Sequence, residues 1–246
     1  MNYNIENILK KLKNNGYYVI DNYFSNNDIE VLNNDFENFM KNNSYSFHLN
    51  EDFIKCKTLD INFEKNFNKD YYFEKLNKDK LIYQISKKYL KKNYKPSKFM
   101  ACQTFGQIND NYSKNKKFAF VPHSDETYFL KFFIYLSDVN IENGPLSVAP
   151  GSHIVSKKKR HKWILSGKDY LKRDKVNLNY ESEMLPLIGK RGTMIIFDTD
   201  IIHKGGVPKD GMSRKVLRYD VYSSSENYNT FSRKVIIKIN KFLNFN

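Results

Sequence analysis

Lys131-Phe132-Phe133-Ile134-Tyr135-Leu136-Ser137-Asp138-Val139 is a short run crowded with aromatic and β-branched residues, the composition of a strand. Four other runs share that texture: Phe99 to Phe105, Leu146 to Ala149, Thr193 to Phe197 and Val216 to Tyr222. Turn-forming residues separate them, at Asn143-Gly144-Pro145, Pro150-Gly151, Gly189 to Gly192, Gly205-Gly206 and Asp210-Gly211. Many short strands broken in this way predict an antiparallel sandwich or barrel, and not alternating βαβ units.

Upstream of Lys98 the periodicity is helical. Ile5, Ile8, Leu9 and Leu12 recur on one helix face, and Gly16 is placed to stop that helix. Tyr17 to Ile20 reads as one short strand. Ser25 followed by Asp28 starts a second helix, whose apolar face runs through Ile29, Leu32, Phe36 and Phe39. A third helix fits Leu76 to Leu90. Helical spacing returns at Val235, Ile236, Ile239, Phe242 and Leu243. With no repeat and no low-complexity linker, the expectation is one domain over 1–246. Its helical part covers about 1–95, its β core about 97–223 and its C-terminal helix about 229–243.

Composition sets outer limits. A chain of 246 residues with 18 Tyr and 19 Phe buries enough surface to fold. No apolar run is long enough to span a bilayer, and the start of the sequence lacks a signal-peptide pattern. Cys56 and Cys102 form no CxxC pair and no disulfide framework, so a reducing, cytoplasmic setting is expected. The net charge of +14 is scattered, with one dense run from Lys157 to Lys162. Lys, Asn, Ile and Tyr are enriched together, as AT-rich coding produces, and a nucleic-acid binder would gather its cations on one face. Nucleic acid is therefore not the expected partner.

The chemistry sits in His123-Ser124-Asp125 and, 80 residues on, His203. Two imidazoles and a carboxylate are the ligand set of the facial triad, which leaves open positions on iron(II). Residues i and i+2 of an extended segment point the same way, so His123 and Asp125 can reach one ion together. The third ligand has to come from another strand.

Around these residues the sequence carries Glu142-Asn143-Gly144-Pro145-Leu146-Ser147-Val148-Ala149-Pro150-Gly151-Ser152-His153, then Gly192 to Asp198 leading into His203, then Arg214 eleven residues later. Here the chain resembles the phytanoyl-CoA dioxygenase family of Fe(II)- and 2-oxoglutarate-dependent oxygenases, over about residues 16 to 223. The resemblance implies a double-stranded β-helix (a cupin-like jelly roll) with flanking helices. It implies His123, Asp125 and His203 as iron ligands, with 2-oxoglutarate and O2 as cosubstrates. Arg214 matches the family arginine that binds the distal carboxylate of 2-oxoglutarate; Arg218, on the same strand face, is its rival. Gln103 resembles a position near the cosubstrate, and Lys131 is a candidate for its other carboxylate. Gly205 departs from the serine the family often places there, so that contact has to come from elsewhere or be lost. His153, in the PGSH turn, is expected to brace the sheet.

The implied activity is hydroxylation of a C–H bond of a small metabolite, with release of succinate and CO2; the positive charge is compatible with an anionic substrate. Asp125 argues against halogenation, since halogenases of this broad class have Gly or Ala there. The segment from Ile154 to Lys190 is the lid candidate, and Tyr128 and Phe129 are candidate pocket walls. Two other readings remain: a non-catalytic jelly-roll module whose basic surface binds RNA or another anion, and a metal protein that does not use 2-oxoglutarate.

Overall fold

A computed structural model of the chain describes residues 3–42, 46–50, 54–61, 72–90, 94–106, 120–125, 128–166 and 178–223, with 235, 238 and 239. The first helix, α1 (Ile5–Asn15), begins where the Asn4 side chain accepts the Asn7 N–H and ends at Gly16 in the left-handed region. Strand β1 (Tyr17–Ile20) follows, then α2 (Asn26–Asn42), whose start is closed by reciprocal bonds between Ser25 and Asp28. Beyond α2 come β2 (Ser46–Asn50) and β3 (Ile54–Ile61), a 3-10 turn at Tyr72–Lys78, and α3 (Lys80–Leu90).

Helices dominate the first 95 residues as described, but the expectation of one early strand is corrected here, because β2 and β3 pair as an antiparallel hairpin. The rest is β4 (Tyr94–Gly106), β5 (Phe129–Tyr135), β6 (Leu146–Val148), α4 (His153–Ser166), β7 (Leu185–Leu187), β8 (Met194–Asp198), β9 (His203–Gly205) and β10 (Ser213–Ser223). The helix expected over 229–243 falls almost wholly outside the described residues.

Two antiparallel sheets make the jelly roll. The larger runs β1-β8-β5-β10-β4-β3-β2 and the smaller β7-β6-β9. β5, apart from Lys131, and β8, apart from Asp198, read as apolar runs because both of their faces are covered. Leu130, Phe132, Ile134, Met194 and Ile196 point to one core, which they share with Leu9 and Leu12 of α1 and Ile82 and Ile85 of α3. Tyr135, Ile195 and Phe197 point to the other, between the sheets, with Leu146, Val148 and Val216. The period of two in each strand thus divides its side chains between a helix-facing core and an inter-sheet core.

Among the described residues no helix is long and apolar enough to cross a membrane. A cavity of about 560 Å³ lies beside the start of α2, with Tyr23, Tyr72, Asp28 and Asp79 in its wall. Both carboxylates have structural work there: Asp28 closes the start of α2, and Asp79 accepts the N–H groups of Leu81 and Ile82 at the start of α3.

Gly16, between α1 and β1, sits close against His153 and Ile201. Its φ is 83°, and a Cβ there would lie 2.7 Å from His153 Nδ1 and 2.9 Å from Ile201 Cδ1. Gly16→Ala is expected to cost about 1–3 kcal/mol through the left-handed backbone, with the clash added to it. A denaturant midpoint unchanged from wild type would contradict this.

Candidate metal centre

The centre is built on one backbone pairing. His123 and His203 form an antiparallel bridge in which each N–H donates to the other's carbonyl, at 3.0 and 2.7 Å. Residues so paired project their side chains to the same face, and here the rings come to 4.4 Å between centroids. Asp125, two residues beyond His123, points the same way, and its N–H donates to Thr199 O at 3.0 Å. The donor atoms of His123, Asp125 and His203 all lie within 4.8 Å of one another.

The donor chemistry fits a divalent ion. His123 Nδ1 bonds the carbonyl of Val121 at 2.8 Å and His203 Nδ1 that of Ile201 at 2.9 Å, which fixes Nδ1 as the N–H and leaves each Nε2 lone pair facing inward. Each Nε2 stands 3.8 Å from Asp125 Oδ1. Burial, helped by the neighbouring His123, pushes the His203 imidazole down to about 3, so the ring is neutral and ready to donate. Burial would raise Asp125, but Lys131 and the two histidines outweigh it and hold the carboxyl below its usual range.

Arg214 is 5% exposed and lies in the inter-sheet interior, its guanidinium 6.0 Å from the centroid of the Phe133 ring. One of its amino groups donates to Gly144 O, while its buried Nε has no hydrogen-bond partner. Among the described residues no carboxylate pairs with it. Arg218 differs, because its Nε and Nη2 grip both oxygens of Asp220 at 2.9 and 2.7 Å. Of the two arginines, Arg214 is the one with unspent donor capacity for an anion.

The register bears on one expected cosubstrate residue, and an ion pair bears on another. Gln103 pairs with Lys215 and Thr104 with Arg214, so Gln103 shares the face of Lys215, which reaches Glu37 of α2. Buried Thr104 is the residue of β4 that shares the face of Arg214. Counting parity back from Arg214 would have found it once the pairing was known. Lys131 is buried, but its Nζ donates to Asp125 Oδ2, so the partner it has is a ligand-set carboxylate. Gly205 ends β9 half-buried.

The basic run is no free lid. It lies wholly on α4, where Arg160 Nε and Nη2 bind both oxygens of Asp200 at 2.7 and 2.8 Å. Lys157 and Arg160 lie over the ring of Tyr128, whose hydroxyl donates to Asp198 together with that of Tyr89. Tyr128 therefore belongs to the packing that holds the turn before His203, while Phe129 stacks on Tyr222. His153, which has no place among the ligands, bonds Lys13 O at 3.1 Å and braces α1. Residues 167–177 of the expected lid lie outside the described set.

A jelly roll carrying a His-Asp-His cluster, with both histidines buried, is the arrangement of the non-haem iron oxygenases that use 2-oxoglutarate. The model of the phytanoyl-CoA dioxygenase (PhyH) family matches residues 12–216, and the chain belongs to that family. Its members use Fe(II), 2-oxoglutarate and O2. A search of curated proteins gives no match. Similar solved structures include the epimerase SnoN in complex with Fe3+, α-ketoglutarate and nogalamycin RO, with 13% identity and a TM-score of 0.66 over 93% of this chain and 88% of that one. The α-ketoglutarate-dependent carbocyclase SnoK from nogalamycin biosynthesis has 15% identity and a TM-score of 0.64 over 88% and 83%. HygX from Streptomyces hygroscopicus, with nickel and 2-oxoglutarate bound, has 11% identity and a TM-score of 0.59 over 89% and 87%. At these identities the likeness concerns the fold.

Two outcomes follow for the Arg160 anchor. Arg160→Met leaves Asp200 buried without its cation, at an expected cost of about 3–5 kcal/mol in chemical denaturation; a loss below about 1 kcal/mol would contradict the anchor. Burial and the nearby Asp198 push Asp200 up to about 6, against the pull of Arg160. An unfolded aspartate titrates near ~3.9. The folded chain therefore keeps a proton that the unfolded chain releases, and this contribution to stability is full below about pH 4 and lost as pH rises through about 6. Carboxyl 13C NMR should show the Asp200 midpoint near 6; a midpoint near 4 would refute the shift.

Proposed function

We propose that His123, Asp125 and His203 hold iron(II), that Arg214 receives the distal carboxylate of 2-oxoglutarate, and that the enzyme hydroxylates a C–H bond of a small, anionic metabolite. The observation that carries the reading is the convergence of three donor atoms within 4.8 Å, with both rings already committed at Nδ1. When bound, iron(II) would activate O2, one of whose oxygen atoms goes to 2-oxoglutarate as it is converted to succinate and CO2 and the other to the substrate C–H bond.

The chain does the rest. Val121 O and Ile201 O keep both imidazoles in one tautomer and orientation. Asp125 offers Oδ1 between the two Nε2 atoms. A buried guanidinium without an anion favours an anionic guest, because its charge otherwise stays uncompensated in a low-dielectric interior; the cosubstrate carboxylate fits that need. The ring of Phe133 lies beside Arg214 and that of Phe197 beside Lys131. The anionic character of the substrate rests on the net charge of +14, whose field raises the local concentration of anions. SnoN and SnoK carry out epimerisation and ring closure by name, so the mass of the product decides among the outcomes.

Anaerobic addition of iron(II) and then 2-oxoglutarate should give a visible charge-transfer band at one iron per chain. A screen of anionic metabolites should reveal one that drives succinate formation and gains a single oxygen. His123→Ala, Asp125→Ala and His203→Ala should each abolish coupled turnover. Arg214→Ala should keep the ion and bind 2-oxoglutarate about 10- to 100-fold more weakly. Coupled turnover surviving in the triple ligand variant would end the proposal; undiminished cosubstrate binding in Arg214→Ala would remove the arginine from it.

A further inference from the structure

Lys131 is a buried ammonium, 6% exposed, on the inter-sheet face of β5 with Phe133 and Tyr135. A lysine in that position needs an anion close by. Across the strand pair stands Asp220, but both of its oxygens accept from Arg218. The ion pair of Lys131 goes to Asp125 Oδ2, with Nζ 5.7 Å from the centroid of the Phe197 ring. The two oxygens of Asp125 thus have separate surroundings: Oδ1 lies 3.8 Å from each histidine Nε2, and Oδ2 is held by the ammonium.

From this arrangement, and resting on the metal-binding reading above, we infer that Lys131 is a positioning residue that reserves Oδ2 of Asp125, so that the carboxylate binds the ion through Oδ1 alone. The physical need is plain. The terminal torsion of an aspartate is soft, and a carboxylate beside a divalent ion can turn to give it both oxygens. A second oxygen would occupy one of the positions that the facial triad leaves open. A charge-assisted bond to an ammonium on a packed strand opposes that turn at every stage of binding. The sequence hides this role, because Lys131 stands six residues past Asp125 and no local spacing marks the pair.

Cobalt(II) alone is the first probe, since its d–d absorption reports the number and geometry of its ligands without any turnover. It is added to the full chain as wild type, Lys131→Met, Lys131→Gln and Lys131→Arg, each checked for a cooperative melt. Lys131→Met should change the position and intensity of the cobalt bands before any 2-oxoglutarate is present. On later titration it should bind 2-oxoglutarate roughly tenfold more weakly. Lys131→Arg, which keeps a charged donor, should restore both readings. If the methionine variant does not fold, Lys131→Gln takes its place, with the same change in the cobalt spectrum expected.

Wild-type cobalt bands in a folded Met or Gln variant would overturn the inference. Wild-type bands with only the 2-oxoglutarate affinity lost would overturn it in favour of a direct contact between Lys131 and the cosubstrate. Failure of the wild-type chain to take up cobalt would instead strike the metal-centre reading itself.

Discussion

Two hydrogen bonds between the backbones of His123 and His203 carry the rest of this site. They set the two imidazoles side by side, and the alternation of an extended chain then brings Asp125 to the same face. The convergence of the three side chains follows from this bridge and from the extended backbone beyond His123. The bridge in turn depends on where the chain goes after β8. There the carbonyl of Thr199 receives Asp125 N–H, and the neighbouring Asp200 is gripped by Arg160 from α4. A buried salt bridge is weak evidence for stability in general. Its place here is geometric, since it ties the turn that delivers His203 to the helix following the Pro150-Gly151 turn.

The strands that the sequence announced most clearly are those buried on both faces. Phe132 and Ile134 feed the helix-side core while Phe133 and Tyr135 face the other sheet, so the run reads as continuous and apolar. β2 and β3 were missed because Lys55, Lys57 and Asp60 break the apolar texture of an otherwise alternating segment. β7 and β9 have three residues each, too few for any periodicity to register. Most of α4 falls in the segment expected to be a lid, since a lysine run has no apolar stripe, and only the structure turns Arg160 inward.

The ligand set itself was legible, because a His-x-Asp pair and a distal histidine are written in residue types and spacings. Charge pairing was not. Lys131 with Asp125 and Arg160 with Asp200 join residues 6 and 40 apart by way of the fold, and nothing in the local sequence marks either pair. Strand parity was equally hidden: Gln103 and Thr104 are neighbours, and only the register with β10 tells which of them shares the face of Arg214. The interior charges fall into groups: Arg218 with Asp220, Lys131 with Asp125, and Arg160 with Asp200. Arg214 stands apart from these pairs among the described residues, and the place proposed for the cosubstrate carboxylate rests on that asymmetry.

The central claim is that one ion sits among His123, Asp125 and His203. Anomalous X-ray diffraction at the iron edge, on crystals grown anaerobically with iron(II), tests it most directly. The account predicts a single strong peak per chain at bonding distance from both Nε2 atoms and from Asp125 Oδ1. A peak elsewhere in the chain, or no peak in crystals that contain stoichiometric iron, would contradict it.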